Sequence, residues 1–169
     1  MASLDEQARR LGQAAAGILA IQAHVERASP WPLAELYGTE AEASWGPPEL
    51  LAHLDEMLPY WLGEVERILA SDPAAGPLPF GRIADDPIRI GIIGRDRRLP
   101  LRVLFERFDA ASAGLITRMP ELTSADIERV GVHPSRGELS VLAIFERFVV
   151  GHLEDHVVQL GEIVTRAEA

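Results

Sequence analysis

Four long stretches of this sequence place apolar residues three and four positions apart, the spacing that draws a stripe along one side of an α-helix. Four such stripes must be buried against one another. Helices of roughly 20 to 30 residues do this as a four-helix bundle, and the sequence therefore predicts an all-α fold. The first stretch opens where Ser3 can cap a helix, with Asp5 and Glu6 in its first turn, and stops near Ala28, before Ser29-Pro30. The second runs from Pro47-Pro48 to Ala70, with proline where a first-turn N–H needs no partner and a kink expected at Pro59. The third runs from Pro100 to Met119 on Leu101, Leu104, Phe105, Phe108, Leu115 and Ile116, and the fourth from Glu138 to Ala167.

The connections are long, so they leave the order and handedness of the helices open. Ser71 to Leu99 is rich in proline and glycine and reads as a loop holding a short extended piece, Ile88 to Ile93. Pro120 to Gly137 reads as a linker with a helical turn after Ser124. The 169 residues fit one domain, 1–169, with no internal repeat.

Composition removes several kinds of chemistry. There is no cysteine, hence no disulfide, thiolate ligand or cysteine nucleophile. All 16 basic residues are arginine, so lysine Schiff-base chemistry is excluded. A net charge of −10 opposes binding to nucleic acid and to anionic lipid. No stretch approaches the roughly 20 apolar residues of a membrane span, and the polar segment Met1 to Arg10 lacks the apolar core of a signal peptide; a cytoplasmic location is expected. No Ser-His-Asp order or phosphate-binding glycine loop is present, and Gly91-Ile-Ile-Gly94 is too short to count as one.

The histidines carry the remaining signal. On a wheel of the fourth helix, Leu142, Val149, His156 and Ile163 form one row and Phe145, His152 and Gln159 the row beside it, while Arg147, Glu154, Asp155 and Glu162 point elsewhere. His152 and His156 thus share the inward face, four residues apart, a spacing at which two imidazoles can reach one metal ion. The second helix has an apolar stripe of Leu50, Leu54, Met57, Trp61, Val65 and Ile68, with His53 at its border, a place suited to the mouth of a pocket. Glu49, Tyr60 and Glu64 lie on the same flank. Two readings stand on spacing alone: a metal site, or core histidines hydrogen-bonded to other groups. Glu64 is the candidate for a catalytic carboxylate that accepts a proton or orients a ligand histidine, and Glu49 is read as a surface charge. His24 reads as a solvated or capping residue and His133-Pro134 as a turn.

Three stretches together resemble the DinB-like family of metal-binding four-helix bundles: Trp45 to Leu54 (WGPPELLAHL), His133 to Ser140 (HPSRGELS) and Gly151 to Gln159 (GHLEDHVVQ). The resemblance implies that His53, His152 and His156 bind one divalent ion, zinc or nickel. It also implies a small-molecule substrate and a homodimer, to which large apolar residues in the first and third helices could contribute an interface. The reaction it implies is transfer or isomerisation through a low-molecular-weight thiol such as bacillithiol or mycothiol. Two alternatives are a metal-dependent hydrolase and a non-catalytic metal-bound bundle that binds a ligand or protein partner. The loop from Ser71 to Leu99 has no match in the family pattern. Its Arg95, Arg97 and Arg98 are either solvated or an anion clamp.

Overall fold

The computed structural model describes residues 3–169; the expected domain start at Met1 and the first two residues of the polar N-terminal segment lie outside the described residues. The Ser3 side chain accepts a hydrogen bond from the Glu6 N–H and opens α1 (Leu4–Ala20). After a break at Ile21 the chain continues as α2 (Gln22–Arg27). Helix α3 (Pro47–Ala70) continues unbroken across Pro59, whose missing N–H removes one backbone bond from its middle. Strand β1 (Leu78–Pro79), α4 (Pro87–Asp96) and α5 (Leu101–Arg118) follow. Next come a single helical turn α6 (Ser124–Ile127), β2 (Val130–His133) and β3 (Gly137–Ser140). The last helical rod is composite: α7 (Val141–Ile144), a π-helical segment Phe145–Val150, and α8 (Gly151–Glu168).

The long helices pack in a ring: α1 against α5, α5 against α3, α3 against α8, and α8 against α1. Their stripes meet in one core, with Leu11, Ile18, Leu54, Met57, Phe105, Phe108, Phe145 and Leu153 wholly or almost wholly buried. At roughly 25 cal/mol per Å² of apolar surface, each such side chain contributes about 1.5–3 kcal/mol relative to exposure. The apolar residues of α1 and α5 named above lie in this core or pack against it, with Leu101 and Ile116 staying partly exposed.

Two sequence expectations are corrected. Ile88 to Ile93 is helical, within α4: Asp86 accepts from the Ile88 and Arg89 N–H groups, Pro87 follows at the first helical position, and Ile90 and Ile93 share the buried face. The Asp-Pro cap and the three-residue spacing of Ile90 and Ile93 decide for helix over the expected extended piece. The last rod begins at Val141 rather than Glu138, because 137–140 pairs with 130–133 as an antiparallel hairpin. Ser140 then caps the helix by accepting from the Ala143 N–H. β1 adds to this hairpin in parallel, giving the order β1-β2-β3. Gly131 lets it seat: a Cβ there would lie 2.6 Å from Phe80 and 2.7 Å from Ile68.

Candidate metal centre

His53 sits in the middle of α3's first half, and His152 and His156 one turn apart on α8. Ring packing of α3 against α8 brings all three Nε2 atoms to one point: 2.9 Å from His53 to His152 and 3.2 Å from His152 to His156. A fourth donor comes from a connection. Trp45, buried to 2% exposure, donates its indole N–H to the Glu35 carbonyl and anchors a 3₁₀ turn over Ala41–Ser44. That turn carries Glu42, whose Oε1 lies 3.0 Å from His156 Nε2, 3.1 Å from His152 Nε2 and 3.6 Å from His53 Nε2. One ligand atom from each of the four lies within 4.8 Å of every other, so the group could hold a metal ion.

The supporting contacts allow a test of fit. Gln159 Nε2 donates to the Glu42 backbone carbonyl at 3.0 Å, which turns its Oε1 toward His156 Nδ1, also at 3.0 Å. An amide oxygen only accepts, so Nδ1 of His156 carries the proton. The other ring nitrogen, Nε2, faces a carboxylate oxygen 3.0 Å away. A positive charge belongs between these two atoms: a divalent cation bound to both supplies it, as does a second proton on the ring. Arg89 completes the surroundings: Nη2 donates to Glu42 Oε2 at 2.7 Å and lies 3.3 Å from His53 Nδ1, while Nη1 donates to the Ala84 carbonyl. Ligation through Nε2 needs the His53 proton on Nδ1, leaving Glu42 as the partner of Arg89. Burial pushes the His53 imidazole well below its ordinary range; Glu42 opposes this, and the charge of Arg89 adds to it. Burial would raise the Glu42 carboxyl, but hydrogen bonds from His152 and His156 outweigh it and hold the group well below the carboxylate range.

The centre opens on a cavity of about 720 Å³. His53 and His156 are 2% and 3% exposed, whereas the side chains of His152 and Glu42 keep 33% and 28%. Trp61, Phe148 and His133 form an aromatic wall, Phe148 stacking on Trp61 at 4.3 Å and on His133 at 5.0 Å. The π-helical segment matters here. Its wider turn adds a residue before α8; Arg147 and Phe148 of this segment line the cavity, as do Glu154 and Asp155 of α8, although the helical wheel placed Arg147, Glu154 and Asp155 away from the inward face. Gly151 closes that turn by donating to the Glu146 carbonyl, and a Cβ on it would stand 2.9 Å from the same oxygen.

The other sequence expectations come out differently. His53 is buried rather than at a pocket mouth, because the 3₁₀ turn and α4 cover that flank of α3. Glu49 is fully buried, not a surface charge: it accepts from the Gly46 and Ala34 N–H groups and pairs with Arg97 at 3.0 Å. Glu64 stands eleven residues beyond His53, about 16 Å along the helix axis. It accepts from the Gly81 N–H and pairs with Arg67, with no hydrogen bond to any of the three histidines. Glu42 is the carboxylate that faces them, and no periodicity or motif in its loop singled it out. His133 is not a free turn but a buried β2 residue, its Nδ1 accepting from the Ser135 N–H. His24 is exposed and pairs with Glu168. Arg97 and Arg95 are spent on Glu49 and Asp96, so no anion clamp forms from Arg95, Arg97 and Arg98.

No curated protein and no solved structure gives a significant match to the chain. The family model described as the DinB superfamily matches residues 16–160, a span that takes in α3, the Glu42 turn and the histidine pair of α8. With the match covering most of its length and a helical ring carrying the three histidines, this chain belongs to the DinB superfamily.

Proposed function

We propose that the protein is a metal-dependent enzyme acting on a small molecule in this cavity, with His53, His152 and His156 as the ligands of one zinc or nickel ion. The observation that carries this is the convergence of the three histidines and Glu42, whose ligand atoms all lie within 4.8 Å of one another, with Gln159 behind His156. A divalent ion supplies a Lewis acid that lowers the pKa of a bound water or thiol. The favoured reaction is thiol S-transfer or thiol-dependent isomerisation, the chemistry implied by the family resemblance. Around the ion, Gln159 orients His156, Arg89 orients Glu42, and Glu42 is the carboxylate within reach to take a proton from an incoming thiol. The partial exposure of His152 and Glu42 toward the cavity supports access by substrate.

A second reading has its own observation. Three histidines and one carboxylate already make four donors, enough to close a tetrahedral structural site, which favours a non-catalytic ligand-binding bundle. Elemental analysis of protein purified without a metal column, together with a screen of thiols against electrophiles, separates the two. The expected result is one divalent ion per chain, lost in His156→Ala along with turnover. Full activity of His156→Ala, with metal quantified in the same sample, rejects metal-dependent catalysis and leaves the binding module. Turnover that needs no added thiol points instead to hydrolysis.

A further inference from the structure

The lining of the cavity carries charge that the protein itself does not use. Of the 16 arginines, 13 donate from their guanidinium to a carboxylate, a carbonyl or a histidine ring. Among the described residues only Arg98, Arg136 and Arg147 do not, and two of those three line this one cavity. The other cations there are committed: Arg82 pairs with Glu56 and lies over the Tyr60 ring at 3.6 Å, and Arg89 pairs with Glu42. Of the lining carboxylates, Glu146 and Glu154 are taken by Arg10, which leaves Asp155 as the one acid without a partner among the described residues. A free arginine on a surface is ordinary. In a chain of net charge −10, where nearly every guanidinium finds an acceptor, two are left over at the rim of the cavity that His53 and His152 line.

Their position fits one kind of ligand. The cavity is lined by His53 and His152, by the aromatic wall of Trp61, Phe148 and His133, and by the exposed Arg136 on the β2–β3 turn and Arg147 in the π-helical segment. Guanidinium groups bind carboxylates through paired, charge-assisted hydrogen bonds. We propose that the cavity takes a small organic carboxylate, its acid group held at the rim by Arg136 and Arg147, its apolar body along the aromatic wall, and its reacting head at the histidine cluster. The position of the head rests on the metal-dependent reading above; the rim contact does not. The two rim arginines are specificity residues, and they replace the clamp expected from the loop arginines.

The test uses the full chain with its metal content measured, titrated calorimetrically with 4-mercaptobenzoate and with the uncharged 4-mercaptobenzamide at equal ionic strength. The acid is expected to bind about tenfold tighter or more. In the Arg136→Gln/Arg147→Gln double variant its affinity should fall to that of the amide, with amide affinity and metal content unchanged. Both side chains are exposed, so the variant keeps its core. Equal affinities in the parent chain, a preference that survives in the double variant, or no binding of either compound overturns the proposal. An acid preference that the variant abolishes in protein holding no metal supports the rim site and removes the metal reading alone.

Discussion

His156 has its tautomer fixed from outside the centre, and that makes Gln159 a residue with a measurable role. Gln159→Leu removes the acceptor for the Nδ1 proton while keeping an apolar volume of similar size. Metal affinity should fall roughly 10–100-fold, the usual effect of losing a partner behind a ligand histidine, with the helical circular dichroism signal retained. Unchanged affinity in a chelator competition would show that the ring is oriented by packing alone. The residue scale is also where the sequence was most uneven. His152 and His156 were legible because both lie on one helix, where a spacing of four fixes their neighbourhood whatever the rest of the chain does. Glu42 was not: one acid among 26 Asp and Glu residues, in a connection without periodicity, is marked only by the tertiary contacts that the Trp45 anchor and Gln159 impose.

One element holds the centre in place by a local departure from regular helix. The π-helical turn Phe145–Val150 sets the rotation of α8 relative to α7, and Gly151 allows it. In Gly151→Ala the added methyl must move the Glu146 carbonyl or unwind the turn. A stability loss of ~1–3 kcal/mol is expected from that overpacking, together with a lower metal stoichiometry as His152 shifts. A variant as stable and as metal-rich as the parent would show that the turn tolerates a side chain. On α3, Asp55 has both carboxylate oxygens buried without a hydrogen-bond partner. Burial pushes its carboxyl up to about 8, with the charge of Arg107 opposing and that of Asp96 adding. Between the ordinary carboxylate range and that value the folded chain keeps a proton that the unfolded chain has released, so stability falls as pH rises through the window. Asp55→Asn has no proton to lose. Its stability relative to the parent should therefore climb from about pH 5 to about pH 8, by ~1 kcal/mol or more in chemical denaturation. Parallel curves for the two proteins would refute this.

For the whole molecule, charge and surface set the expectations. With a net charge of −10 the protein should show no duplex DNA binding at physiological salt, and a salt-dependent, sub-micromolar anisotropy signal would contradict this. No described helix is long and apolar enough to cross a membrane. A homodimer is the assembly expected from the family. Most large apolar residues of α1 and α5 are internal, and the exposed Leu33, Tyr37, Ile88 and Val158 are further candidates for its interface. A monomer mass by light scattering at micromolar concentration would remove it.

The sequence by itself determined the four long helices, their inward faces and the histidine pair, because helix formation and amphipathicity depend on residues within one or two turns of each other. It also carried signals that outweighed a strand at Ile88 to Ile93: the Asp86-Pro87 cap and the spacing of Ile90 and Ile93. What only the tertiary structure decided lies between elements. Whether His53 is a border residue or a buried one depends on what covers α3, and the covering pieces are the Glu42 turn and α4, far from it in the chain. Glu49 and Glu64 carry the same charge on the same flank, yet both are tied down by backbone N–H groups of other segments rather than turned to the histidines. A carboxylate's role is set by the donors that reach it in space, and no local periodicity records which donors those are.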